Sequence, residues 1–146
     1  MSLFTKWLMT FMLVGCFTSN AQDIMGKWKT IDDKSGEPRS IIEITKEGDE
    51  YFGRVLNIYS KPDEDPDPIC DLCEDDRKNQ KVIGMQVIRE MKFNPKSKEY
   101  GEGTIIDPED GNIYDCKLWV AEDGALKVRG YLYFFFRTQT WLPFDE

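Results

Sequence analysis

Beyond residue 21, apolar and polar side chains alternate far more often than they recur at helical spacing. Alternation is the mark of a strand with one buried face. In the run 112–121, Tyr114, Cys116, Leu118 and Val120 share one parity, while Asp115 and Lys117 share the other. In 125–133, Leu126, Val128, Gly130 and Leu132 fall together, opposite Lys127, Arg129 and Tyr131. The same reading predicts strands over 25–31, 40–46, 51–59, 83–93, 99–106 and 135–142. Turn chemistry separates them, with Lys46-Glu47-Gly48-Asp49, Asn94-Pro95-Lys96-Ser97, Asp107 to Gly111 and Glu122-Asp123-Gly124 as the clearest cases. Two features break the rhythm. Gly101 and Gly103 sit inside a strand, where glycine marks a bulge or a close backbone approach. The run Phe134-Phe135-Phe136 predicts a bend or a segment covered on both sides.

Eight strands joined mostly by short hairpins predict an all-β, antiparallel, up-and-down barrel, because closure removes the unpaired edges of an open sheet. One domain over residues 22–146 is long enough to bury a core without help from disulfides. The exception to short connections is a stretch at about 60–82. Between Pro62 and Asp76 it holds eight carboxylates and neither Lys nor Arg, so it accounts for a formal charge of −8. With no basic footprint, nucleic-acid binding is excluded first. The same loop offers clustered carboxylates to a calcium ion, but it lacks the ordering of an EF-hand cage, and a solvated loop is the expectation. No metal and no cofactor are expected.

Residues 1–21 read as a signal peptide. Lys6 provides a positive start, an apolar run follows to Phe17, and Ser19-Asn20-Ala21 offers small residues for cleavage. The run is too short for a permanent membrane helix, so no transmembrane span is expected in the mature form. Leu13-Val14-Gly15-Cys16 also resembles a lipobox, which would make Cys16 a lipidated first residue and tether the domain to the envelope. Export as a soluble periplasmic or secreted protein is the favoured reading.

Cys70-Asp71-Leu72-Cys73 has the spacing of redox and zinc sites. Acidic neighbours oppose a reactive thiolate, and the chain has no histidine to complete a zinc set. A structural disulfide is expected outside the cytoplasm, with Cys70, Cys73 and Cys116 as candidates and the pairing open. Without histidine there is no Ser-His-Asp or Cys-His pair, and the chain is not expected to be an enzyme.

Gly26-Lys27-Trp28 stands on the first strand, where lipocalins and their relatives carry G-x-W. In those proteins an arginine of the last strand packs over the tryptophan, and Arg137 is the candidate here, the pair closing one barrel end. From Ile24 to Trp141 the chain resembles the bacterial exported family called domain of unknown function 2147. The resemblance rests on I-M-G-K-W-K-T-I-D-D at Ile24 to Asp33, Y-F-G-R-V at Tyr51 to Val55 and D-R-K-N at Asp76 to Asn79. It continues through I-G-M at Ile83 to Met85, G-E-G-T-I-I-D-P-E-D-G at Gly101 to Gly111, I-Y-D-C-K-L at Ile113 to Leu118, V-R-G-Y and R-T-Q-T-W. It implies a calycin- or lipocalin-like barrel in the envelope or secreted, and it carries no substrate, cofactor or catalytic residue with it.

Two functions follow as expectations. A carrier would hold a small apolar or amphipathic ligand at an open mouth, with Gly101 and Gly103 making room and Tyr114, Arg129 and Trp141 as contacts. Alternatively, a filled barrel would act as an envelope interaction module, meeting a protein partner through the acidic loop or through Trp119 and Tyr131.

Overall fold

The computed structural model describes residues 22–146, so the predicted export segment and Cys16 lie outside the described residues. Eight strands run in order: β1 (Gly26–Ile31), β2 (Pro38–Glu47), β3 (Glu50–Ile58), β4 (Gln86–Asn94), β5 (Glu99–Ile106), β6 (Ile113–Val120), β7 (Leu126–Leu132) and β8 (Phe135–Pro143). Each pairs antiparallel with its sequence neighbours, and β8 returns to β1 to close the barrel. Most starts fall within two residues of expectation, and β4 is displaced furthest. β4 begins at Gln86 rather than at residue 83, because the Met85 N–H donates to the Val82 carbonyl (3.1 Å) and Gly84 turns at φ 90°.

In an up-and-down barrel alternate connections gather at opposite ends. The turns at 48–49, 95–98 and 121–125 lie at one end, with Ile24 just before β1. There Ile24, Trp28, Ile44, Met91, Leu118 and Leu126 are buried together. The Trp28 indole N–H donates to the Ile24 carbonyl at 2.8 Å, so the large ring is buried with its one polar group satisfied. Tyr51 meets Tyr100 edge to face at 4.8 Å between centroids. Burial, and then the neighbouring Tyr51, push the Tyr100 hydroxyl up to about 12. This end is closed by packing.

Gly103 belongs to that packing. A β-carbon there would lie 2.3 Å from the Arg89 carbonyl oxygen and 2.6 Å from the Met91 sulfur. Across the β4–β5 pair, Glu90 and Glu102 both take positive φ (60° and 63°), and the ladder skips from Arg89↔Thr104 to Lys92↔Gly101. Gly103 thus marks a bulge with close backbone approach, and it makes no room for a ligand.

The opposite end gathers the connections at 32–37, 59–85, 107–112 and 133–134. In the last of these, Tyr133 and Phe134 form a two-residue hairpin turn, with Tyr133 at φ 55°. The aromatic run is therefore a bend, with Phe134 97% exposed and Phe135 79% exposed, and not a segment covered on both sides. A period-2 pattern cannot distinguish an apolar turn from an apolar strand.

Candidate functional site

The barrel interior opens at this second end into a cavity of about 780 Å³. Its apolar wall includes Ile42, Val55, Val87, Ile105, Val128 and Trp141. Neutral polar groups occur among them and satisfy one another: the Thr30 and Ser40 hydroxyls lie 2.8 Å apart, and the Trp141 indole N–H donates to Gln139 Oε1 at 3.1 Å. Such an interior accepts an apolar body and leaves few unpaired polar groups behind.

Charge is confined to the rim. Arg39, near the start of β2, donates through Nη1 to both Glu64 oxygens (3.1 Å each) and through Nη2 to Glu109 (2.6 Å). One guanidinium thereby ties β2 to the long connection and to the β5–β6 turn. The Lys61 backbone N–H first, and then Arg39, hold the Glu64 carboxyl below its usual range. Arg137 of β8 donates to Asp33 Oδ2 at 2.8 and 2.6 Å. The Tyr114 hydroxyl donates to Asp110 at 2.8 Å. Burial pushes the Asp107 carboxyl up against the counter-effect of the Glu109 N–H, which it accepts at 2.9 Å.

The long acidic connection leaves six of its eight carboxylates exposed to solvent, as its charge suggested, yet it is tied down as a built wall. Cys70 and Cys73 are joined by a disulfide. The Cys70 N–H donates to the Gln80 carbonyl and the Asn79 N–H to the Cys70 carbonyl, both at 2.8 Å. Arg77, only 4% exposed, donates to Asp75 at 2.6 Å and to the Gln86 carbonyl at 3.0 Å, fastening the loop to β4. That guanidinium holds the Asp75 carboxyl down at about 2. Arg89 grips Asp76 with two bonds of 2.8 and 2.9 Å. The cations that pair with these carboxylates come largely from residues after Asp76, namely Arg77, Lys81 and Arg89, which is why a count from Pro62 to Asp76 missed how the loop is held. The loop also packs on the D-P-E-D-G turn: a β-carbon on Gly111 would lie 2.1 Å from the Leu72 carbonyl oxygen, and Cys70 Sγ lies 3.5 Å from the Pro108 oxygen. Among the described residues no three of the carboxylates and thiols converge as a metal set.

The residues singled out from sequence divide. Tyr114 and Trp141 line the cavity. Arg129 does not: its guanidinium lies on the outer face, 5.0 Å from the Trp119 ring and 4.6 Å from Phe136, with Nε donating to Thr138 at 2.7 Å. Trp28 and Arg137 are not brought together. Trp28 stands opposite Pro143 at the closed end, whereas Arg137 stands opposite Gly130 at the mouth, because β8 runs antiparallel to β1. Cys116 is free and buried, and that burial pushes its thiol up to about 12. With Cys70 and Cys73 bonded to each other, Cys116 is paired with neither in this structure. Sequence reasoning passed over Arg39, Gln139, Asp107 and Glu109. The last two were visible only as members of a turn motif.

A sequence model of the family described as "Uncharacterized protein conserved in bacteria (DUF2147)" matches residues 26–142. No match was found among curated proteins. Among solved structures, the chain is similar to a protein from the human pathogen Helicobacter pylori described as belonging to the lipocalin family. The TM-score is 0.68 at 15% identity, over 85% of this chain and 84% of that one. At such identity the likeness shows the fold alone: a lipocalin-like barrel.

Proposed function

The chain belongs to this bacterial family of uncharacterized proteins, and from that premise we propose that it is an exported carrier for one small apolar or amphipathic molecule. The observation that carries the reading is the cavity of about 780 Å³, apolar within and charged only at its rim. Small-molecule sites span roughly 300–1,000 Å³ and combine an apolar lining with a few placed polar groups. An amphipathic guest would set its apolar part against Ile42, Val128 and Trp141 and its polar part beside the rim. The reading is one of binding without turnover. The Cys70–Cys73 disulfide supports a periplasmic or secreted setting, since such bonds persist in oxidising compartments.

Native and denaturing mass spectrometry on protein recovered from its own cell envelope test the proposal. A reproducible added mass that vanishes on denaturation is expected. Val128→Trp, which places an indole in the cavity, should abolish that added mass while keeping the circular dichroism spectrum of the barrel. Recovery of the protein without any bound mass, and without uptake of apolar probes, would sink the carrier reading. Attention would then pass to the interaction-module alternative, whose support is the exposed aromatic tip at Tyr133 and Phe134.

A further inference from the structure

We propose that the molecule held in this cavity is cationic: an amphiphile with an ammonium-type head at the mouth and an apolar tail in the barrel. The proposal rests on the carrier reading above. Three independent features of the mouth lead to it.

The first is the balance of charge within the cavity wall itself. Asp32, Glu64, Asp65, Asp71, Asp107 and Glu109 line it, against Arg39 and Arg137. Six carboxylates less two guanidiniums leaves four negative charges around one opening, and no lysine lines it. A cleft with low-dielectric walls focuses such a field, concentrating cations and repelling anions. The second is that both guanidiniums are already engaged, Arg39 by Glu64 and Glu109 and Arg137 by Asp33. A fatty-acid head would have to displace a carboxylate that remains tethered beside it. The net effect would be to exchange one anion for another in an already negative field.

The third is aromatic. Tyr114 and Phe135 line the same opening, as does Phe136, whose ring is already covered by the Arg129 guanidinium at 4.6 Å. Phe135 is 79% exposed, so folding the isolated chain does not account for its place at the rim. Ring faces attract ammonium groups, including quaternary ones, which have no N–H to donate to a carboxylate. Carboxylates and ring faces around an apolar well form the chemistry that recognises a cationic head with a greasy tail. A cation at Asp107 would also relieve the cost of burying that carboxylate.

The test is a matched set of ten-carbon probes, decyltrimethylammonium, decanol and decanoate, titrated below their micelle concentrations into the full folded domain by isothermal calorimetry. Decanol should bind once per chain, as the carrier reading requires. Decyltrimethylammonium should compete with it for that one site and bind at least about tenfold more tightly than decanoate at low salt, the gap closing as the Debye length falls. Asp65→Asn with Asp71→Asn, both on the rim and outside the closed core, should narrow the gap between cation and decanoate about threefold, and an unchanged gap would overturn the charge assignment. Decanol and decanoate binding as well as the cation would overturn the charge assignment and leave the carrier intact. Cation binding that fails to compete with decanol would overturn it too, since it would report only the acidic surface. If none of the three probes binds, the carrier reading and this inference fall together.

Discussion

The same eight strands end in two different kinds of chemistry. Where Ile24 leads into β1, Trp28, Ile44, Met91, Leu118 and Leu126 meet with almost no exposure, and the polar groups present serve the packing. At the mouth, the strands finish in ion pairs, a disulfide-closed loop and aromatic rings left in solvent. A fully buried large apolar side chain is worth about 1.5–3 kcal/mol, whereas an exposed ion pair is worth about 0–1. Stability is therefore concentrated at the closed end, and the mouth contributes less to it.

That asymmetry can be broken from either side. The largest effect belongs to Trp28→Ala, which should cost about 3–5 kcal/mol of stability by leaving a cavity at the closed end. Denaturant unfolding would measure it, and the folded fraction should still take up a probe at the mouth. A loss of probe binding with unchanged stability would invert the comparison.

Next comes Asp75→Ala, which strips buried Arg77 of its carboxylate and should cost about 1–3 kcal/mol at neutral pH. The pH dependence has a definite sign. Asp75 titrates at about 2 in the fold against an ordinary value of 3.8, so its ionised form stabilises the native state at higher pH. The stabilisation is fully present above the ordinary value and is lost as pH falls through the folded one. Wild type and variant should differ near neutrality and converge as pH approaches the folded value. Parallel curves throughout would show that the pair contributes nothing through ionisation.

The double substitution Cys70→Ser, Cys73→Ser should cost at most about 2 kcal/mol, because the loop it opens is so short. Its signature is local. Amide exchange should quicken from Cys70 to Val82 and leave the strands at the closed end untouched. The smallest change is expected of Arg39→Gln. Its ion pairs are partly exposed, so stability should fall by about 1 kcal/mol or less. Exchange should nonetheless rise in both the long connection and the β5–β6 turn, since one guanidinium holds both.

The strands were legible because each buries one face, and a period of two survives in any sequence that does so. The run from Tyr114 to Val120 and that from Leu126 to Leu132 show it, and both lie where the alternation placed them. Parity separates Arg129 from Val128 and so already set it on the other face, against its assignment to the cavity. It says nothing of depth along the barrel, and that is why Arg137 could be mistaken for a partner of Trp28. Gly103 was legible as a close approach, while rejecting the idea that it opened space required knowing that the Arg89 carbonyl sits across from it.

What the sequence determined by itself was the alternation, the turns and hence the barrel, together with the family, because these depend on neighbours one to four positions apart or on ordered short motifs. Tertiary structure alone decided which end is packed and which is open, and where each charge finds its counter-ion. Arg39 meets Glu109 across 70 positions and Arg137 meets Asp33 across 104. Contacts at such separations are set by closure of the barrel, which brings chain-distant loops to one end, and no local pattern in the chain encodes them.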